Sequence, residues 1–547
     1  MQQTLARPRR AAQRAPAAAV ARGRTHPMWF LLPAFAILFV FFFLPTLFNF
    51  VYAFTDWSSF KSEIRPAGFD NFANLLSDGT LFSALRITVI YAALVALFQN
   101  LFGFGLAVLL EKDTWLNRAA RLAFLVPVLM SALAVGYVFQ ALLKPDGSLN
   151  DLLSALTGQR VDVAWLGSTT WTLVLAAVIH AWKWMGLSML IYLAGLKTVP
   201  EDVAEAARID GATPWQAFWA IRFPLLAPAV TFNVATALLG SMNGFDIVQA
   251  LTGGGPARST EILNIFIYRT FGQGLFAQAT AMSLVLFLMV ALLAFPVIRV
   301  LRRRRRSCDR PRLRFPARRR SASPVARGLA ARLRPFAVVA LVVPVMGVPL
   351  WLVVVTAAKS QGEALSPDLS PPAEWRLWEN LAQVWQQGEV PMAFLGSLLV
   401  VAPSVVLVLT FGSMASWILA RRAGRLNAVL YALAISGIVL PPAVVTIVLL
   451  LRQLGLAGSP AGMIGVYVGI YLSTVIFFVT GFVRTVPLSL EEAARMDGAG
   501  PVRVFFSVIL PLLRPCWPPR PSSSACTCGT TSSTRSSWSA GGWTRCR

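Results

Sequence analysis

Long apolar stretches alternate with shorter polar or arginine-containing segments along most of the chain. A run of about 20 apolar residues is long enough to cross the hydrocarbon core of a bilayer as a helix. The pattern therefore predicts an all-α, multi-pass membrane protein with about ten spans. The predicted spans are residues 28–54, 87–110, 122–143, 171–196, 225–248 and 276–300 in a first group, and 335–358, 394–420, 426–451 and 463–483 in a second.

The arginines lie mainly beside the predicted spans and account for the formal net charge of +25. In a soluble protein this charge would indicate nucleic acid, but in a membrane protein positive residues mark cytoplasmic segments. We therefore predict a cytoplasmic N-terminus, a lipid bilayer as partner and no nucleic-acid partner.

The predicted order of segments is a disordered cytoplasmic tail (1–27), a six-span domain (28–301), a basic linker (302–334), a four-span domain with its following loop (335–515) and an aberrant polar tail (516–547). The basic linker could be a solvated tether or a contact for anionic lipids.

One polar segment occurs twice, and we call the two copies the first repeated loop (residues 205–228) and the second repeated loop (residues 492–515). They read EAARIDGATPWQAFWAIRFPLLAP and EAARMDGAGPVRVFFSVILPLLRP and align without a gap. A long-period repeat indicates a duplicated structural unit. Both copies follow an apolar span, so the unit is predicted to be membrane-embedded. The matched pairs are Glu205 and Glu492, Ala206 and Ala493, Ala207 and Ala494, Asp210 and Asp497, Gly211 and Gly498, and Pro224 and Pro511.

Each copy has the residue order of a helix–turn–helix on the cytoplasmic face. A proline ends the preceding span, and the acidic residues after it favour the first turn of a short helix. Gly211 and Gly498 are predicted to end that helix. A second amphipathic turn then leads to Pro224 or Pro511, predicted to start the next membrane helix.

The repeated loops resemble the EAA loop of bacterial ABC importer permeases, in which Glu-Ala-Ala is followed by a glycine and later by Leu-Pro. Phe223 replaces the leucine in the first copy. In that family the loop is a coupling helix that inserts into a groove of a cytoplasmic ATPase dimer. The resemblance implies docking through Glu205, Asp210, Glu492 and Asp497. It also implies that the partner uses the ATP, so this chain is a permease with no cofactor and not an enzyme. The alternative is a pair of ordinary amphipathic loops in a duplicated membrane protein.

Flanking motifs extend the resemblance to the maltose and glycerol-phosphate class of sugar permeases. It implies two different MetI-like permease subunits fused in one chain, located in the bacterial cytoplasmic (inner) membrane. They would import a sugar or a related polyol or sugar-phosphate delivered by an extracytoplasmic substrate-binding protein. The motifs are Gly147-Ser148-Leu149-Asn150, Ala194-Gly195-Leu196 and Thr252-Gly253-Gly254-Gly255-Pro256 in the first half, and Ser397-Leu398-Leu399, Leu419-Ala420-Arg421, Pro441-Pro442 and Leu490-Glu491-Glu492-Ala493-Ala494 in the second.

Polar groups inside predicted spans are candidates for a substrate path, because they are costly to bury in lipid. A sugar needs hydrogen-bonding groups and an aromatic face in its site. The alternative is that these groups hold helices together, and for His180 and Lys183 we favour that alternative. The candidates for the path are Lys183, Asn243, Asp246 and Gln249, with His180, Trp182, Trp184, Asn233 and Ser241 nearby in the sequence.

Other kinds of chemistry are disfavoured. The chain contains no GxxxxGK[ST] phosphate loop, so we do not expect it to hydrolyse ATP itself. It has 2 histidines, which argues against a histidine metal site or a catalytic triad. Cys526, Cys528 and Cys546 do not have the spacing of a four-ligand metal site. We predict no catalytic residue and no metal.

The resemblance implies two more spans after Pro515, but the segment there is too polar to cross a bilayer. One hypothesis is a reading-frame shift near residues 515–521, because the codons of residues 528–532 can encode Trp-Asn-Asp-Phe in another frame.

Two rival functions stay open. One is an ion-coupled secondary transporter with His180, Lys183 and Asp246 as its relay. The other is a truncated permease remnant that inserts into the membrane but does not carry substrate.

Overall fold

The computed structural model describes residues 26–199, 202, 205, 207, 209, 211–307, 336, 338–365, 367–440 and 442–513. The predicted polar tail with its cysteines and the frame-shift region lie outside these residues, as do most of the predicted N-terminal tail and basic linker. Within the described residues the chain is helical, and its only β pairing is an isolated bridge between Thr55 and Pro66. The predicted all-α class is confirmed.

The helices follow one another in two series. The first series is α1 (Met28–Tyr52), α2 (Asp70–Ser77), α3 (Thr80–Leu109), α4 (Trp115–Leu129), α5 (Ala132–Leu142), α6 (Ser148–Thr157), α7 (Trp171–Lys197), α8 (Trp215–Leu225), α9 (Ala227–Met242), α10 (Asp246–Thr252), α11 (Leu263–Gly272) and α12 (Phe276–Ser307). The second is α13 (Val338–Ala358), α14 (Gln361–Ala364), α15 (Leu377–Gln387), α16 (Val390–Arg421), α17 (Arg425–Val439), α18 (Val444–Gln453), α19 (Pro460–Val483), α20 (Leu488–Met496) and α21 (Pro501–Leu512).

Seven helices in the described part of the chain are long and apolar enough to cross a membrane: α1, α3, α7, α12, α13, α16 and α19. Two bent pairs, α4 with α5 and α8 with α9, raise the number to nine if each pair is one span. The ninth predicted span, residues 426–451, is divided between the shorter helices α17 and α18.

The third predicted span, residues 122–143, is wrong as a single helix. The chain forms α4 and α5 instead, which meet at 101°. Met130 has extended backbone between them, and Pro127 lies in the last turn of α4. Proline removes a backbone donor and crowds the preceding turn, which favours a helix end here. The fifth predicted span, residues 225–248, is also interrupted, because α9 ends at Met242 and α10 begins at Asp246.

Each half is built around a central pair of packed helices. In the first half α3 packs on α7, and in the second α16 packs on α19. Gly103 makes the first contact possible, because a Cβ there would lie 2.5 Å from the Cβ of Ser188. Gly412 has the same role in the second half, where an added Cβ would lie 2.6 Å from Cγ1 of Val475. Close approach through small residues is how membrane helices gain packing contact.

The first helix of each half packs on the other half. Helix α1 lies against α16 and α19 and also against α18, where Thr446 Oγ1 donates to the carbonyl of Pro45 at 2.7 Å. Helix α13 lies against the first half, where Trp182 Nε1 donates to the carbonyl of Val345 at 2.8 Å and Met346 is buried. The two halves are therefore joined by exchanged helices within the predicted membrane region. The domain boundaries along the chain stay a prediction.

Candidate functional site

The two repeated loops have the same turn geometry. In the second, α20 ends at Met496, Gly498 has a φ of +81°, and Ala499 N–H donates to the Ala494 carbonyl at 3.0 Å. In the first, Gly211 has a φ of +80°, and Ala212 N–H donates to the Ala207 carbonyl at 2.9 Å. This hydrogen bond closes a helix whose following residue is left-handed, a conformation that glycine adopts most easily.

The acidic and apolar tips of both loops face outwards. Glu205 and Glu492 are exposed, as is Asp497. Ile209 and Met496, which occupy matching positions, are 86% and 88% exposed. Residues Ala206 and Asp210 of the predicted docking set lie outside the described residues. The small residues pack differently from one another: Ala207 is buried with Ala212 and Ala217, Ala494 is half-buried and Ala493 is exposed.

Pro224 and Pro511 do not start the next membrane helix, so that prediction was wrong. Each lies near the end of a helix that begins at the loop, α8 or α21. A π-helical turn precedes each proline, at Phe218–Arg222 and at Phe505–Ile509. Such a turn admits an extra residue, which relieves the clash of a proline ring inside a helix. A bend of 64° then follows α8.

The first repeated loop is fastened to the C-terminal end of α3. Arg222 forms an ion pair with Glu111, and both side chains are half-exposed. Phe104 of α3 packs edge-on against Phe223 at 5.6 Å and against Tyr192 of α7 at 5.4 Å between ring centroids. A motion of α3 would therefore be passed to this loop.

A polar cavity of about 360 Å³ lies between α3, α5, α7, α9 and α10. Two of the predicted path residues, Asn243 and Asp246, line it. The Oδ1 atom of Asn243 is buried and has no hydrogen-bond partner among the described residues. Buried polar atoms are usually paired, so this unpaired oxygen is an exception among the described residues. The cavity is also lined by Gln99, His180, Trp184, Asn233 and Ser241.

One wall of the cavity is a hydrogen-bonded network. Gln99 donates to Ser188 at 2.9 Å, and Ser188 donates to Asn233 at 3.1 Å. The hydroxyl of Tyr91 lies 2.9 Å from Nδ1 of His180. Sequence reasoning missed Gln99, Ser188 and Tyr91, although a glutamine inside an apolar helix was a signal available in α3.

The other two predicted path residues do not line this cavity. Lys183 is 3% exposed, and its ammonium donates to the carbonyls of Pro127, Val128 and Met130 at 3.0, 3.2 and 2.6 Å. These carbonyls lie at the end of α4, where the Pro127 carbonyl also accepts from Met130 N–H at 3.3 Å, so Lys183 attaches α7 to the point at which the third span is broken. Gln249 is half-buried on α10 and is not among the lining residues.

Two stretches of the chain, residues 99–306 and 409–517, match the family described as binding-protein-dependent transport system inner membrane component. Together they cover more than half of the chain, and the domain is found once in each half. Each stretch includes one complete copy of the repeated helix–turn–helix.

Two similar proteins each match about half of the chain. A lactose transport system permease protein of Rhizobium radiobacter is 30% identical over 49% of this chain and 90% of its own length. A probable starch degradation products transport system permease protein of Thermoanaerobacterium thermosulfurigenes is 29% identical over 48% and 90%. Among solved structures, a bacterial ABC transporter involved in the import of the acidic polysaccharide alginate matches with a TM-score of 0.43 and 22% identity, over 51% of this chain and 94% of that one.

Proposed function

We propose that this chain, which belongs to the family of inner membrane components of binding-protein-dependent transport systems, is the permease of an ATP-driven importer for a sugar or a related polyol or sugar-phosphate. The names of its relatives support the substrate class, since one is a lactose transport system permease protein and another is a probable starch degradation products transport system permease protein. Family membership also favours this function over an ion-coupled transporter.

The observation that carries the proposal is the matched geometry of the two repeated loops. Two short helices, each closed by a glycine at a φ near +80°, present a glutamate and a large apolar residue to the outside. Two ATPase subunits would each bind one loop. Their closure on ATP would bring the loops together, and α3 and α7 would transmit this movement to the path between the halves.

The polar cavity supports a substrate path in the first half. Asn243 and Asp246 offer donors and acceptors for hydroxyl groups, and Trp184 offers an aromatic face, which suits a sugar. A separate extracytoplasmic binding protein would deliver the substrate. The chain's own residues would bind and orient the sugar, while the hydrolysis of ATP would take place on the partner.

The test co-expresses the chain with the ABC-type ATPase subunits of its source organism. It measures their co-purification and the uptake of radiolabelled maltose, glycerol and glycerol 3-phosphate. The paired variant Glu205→Ala, Glu492→Ala should lose the ATPase, whereas Glu379→Ala, an exposed glutamate on α15, should keep it. Undiminished co-purification by the paired variant would contradict the coupling role. Uptake that follows an ion gradient without ATP would favour the secondary transporter, and insertion without uptake would favour the remnant.

A further inference from the structure

Glu491, which directly precedes the second repeated loop, is fully buried although its neighbour Glu492 is exposed. Its Oε1 accepts from Arg421 Nε at 2.6 Å, and its Oε2 accepts from Trp417 Nε1 at 3.2 Å. His26 Nε2 lies 3.1 Å from the same Oε2, and Arg495 Nη2 lies 3.4 Å from it. A buried carboxylate is stable only when it is paired and hydrogen-bonded in this way. We call Glu491 and these four residues the Glu491 cluster.

The charge of Glu491 is kept despite its burial. Desolvation alone raises the pKa of a carboxyl group, but the hydrogen bonds of Glu491 with His26, Arg421 and Trp417 outweigh it and hold the pKa of Glu491 below its usual value. The cluster therefore contains an ionised carboxylate with a fixed set of donors. Arg421 has a second attachment, because it also donates to the carbonyl of Val486 at 2.8 Å.

The members of the Glu491 cluster come from both halves of the chain. Trp417 and Arg421 lie at the inner end of α16, whereas His26 lies just before α1. The rings of His26 and Trp417 meet at 5.1 Å between centroids. Phe30 of α1 continues this contact, packing on Phe505 of α21 at 5.6 Å. Both helices of the second repeated loop are thus attached to the first helix of the chain.

The first repeated loop has no equivalent of this attachment in the sequence. At the position that matches Glu491 stands Ala204, and at the position that matches Arg222 stands Ile509. The half-exposed ion pair of Arg222 with Glu111 joins the first loop to its own half alone. The two loops share a turn and an exposed tip, but their fastenings differ in position, burial and partner.

We propose that Glu491 is a positioning residue that fastens the second coupling helix, α20, to both permease halves through Arg421, Trp417 and His26. A movement of α1 or α16 is then passed rigidly to the second ATPase contact. Among the described residues, the first contact is fastened to its own half through Arg222 and Glu111. The importance of this attachment for transport rests on the proposed function, but the attachment itself does not.

The test measures the mobility of a spin label on each loop in the full chain, reconstituted in lipid nanodiscs without any ATPase. The five native cysteines are first replaced by serine, and a cysteine is placed at Met496 or at the matching position, Ile209. Both sites are similarly exposed, so each is the control of the other. With Glu491→Ala we expect the label at position 496 to lose its immobilised spectral component, while the label at position 209 keeps its own. Glu492→Ala should change neither spectrum.

The contribution of the first half is tested by His26→Ala. This substitution should mobilise the label at position 496 and leave the label at position 209 unchanged. An unchanged spectrum at position 496 in this variant would overturn the cross-half attachment. If Glu491→Ala cannot be recovered in folded form, Glu491→Gln decides. Its amide oxygen still accepts from Trp417, but it loses the charge that pairs with Arg421, so mobility should rise. Unchanged mobility in Glu491→Gln and His26→Ala would refute the proposal.

Adding the ATPase separates this proposal from the proposed function. If the variants mobilise position 496 and ATP-dependent uptake falls as well, both are supported. If position 496 is mobilised in a chain that binds no ATPase even when unmodified, the attachment stands and the importer function fails.

Discussion

At the scale of single residues, Gly211 and Gly498 hold the turn of each loop at a positive φ, with open space where a Cβ would stand. An alanine would be strained by about 1 kcal/mol in this conformation. We therefore expect Gly211→Ala and Gly498→Ala each to loosen the loop and weaken ATPase binding, without blocking membrane insertion. Gly396→Ala is the matched control, because Gly396 lies inside α16 with equally open space. Co-purification with the ATPase measures the effect, and equal binding by all three variants would contradict it.

Asn243 and Gln249 distinguish the cavity from the rest of the predicted path. Asn243 lines the cavity with a free buried oxygen, whereas Gln249 does not line it. Losing one hydrogen bond of about 1.4 kcal/mol to the substrate corresponds to roughly a tenfold change in affinity. We expect Asn243→Ala to lower uptake at low substrate concentration by about this factor and Gln249→Ala to leave it unchanged. Uptake measured over a range of sugar concentrations gives the comparison. A larger loss of uptake in Gln249→Ala than in Asn243→Ala would contradict the assignment of the path to this cavity.

At the scale of elements, Lys183 links α7 to the end of α4. Its ammonium donates to three carbonyls at the end of the broken helix, where backbone acceptors lack their usual helical partners. Lys183→Met removes this shared donor from carbonyls in an apolar setting and should lower stability by roughly 2 kcal/mol. Lys197→Met, at the exposed end of the same helix, should cost almost nothing. Thermal unfolding in detergent measures both, and similar melting temperatures would contradict the role of Lys183.

The sequence predicted which elements exist better than how they are interrupted and paired. Long apolar runs revealed the spans, and Gly211 and Gly498 revealed the loop turns, because both signals are local. The break after Pro127 was missed, since a proline within an apolar run does not alter hydropathy. The burial of Glu491 was missed because its partners, Arg421 and His26, are far away in sequence. Lipid-facing and helix-facing residues are equally apolar, so hydropathy does not indicate which helices meet.

At the scale of the whole molecule, the exchange of α1 and α13 makes the two halves one packing unit. Helix α1 is held against α19 at Gly469, where a Cβ would lie 2.8 Å from the Cβ of Phe41. This exchange also explains how the Glu491 cluster can include His26 from the start of the chain.

We therefore expect the halves to stay together when the predicted linker is cut. A protease site inserted after Ser321 would be cleaved in the purified protein, and the two fragments should elute as one species on size exclusion in mild detergent. Gly469→Leu should separate them at least in part, because the larger side chain displaces Phe41 and hence α1. Gly481→Leu lies on the same helix with open space around it and should leave the fragments associated. Fragments that separate without any substitution would show that the linker, and not the exchanged helices, holds the two halves together.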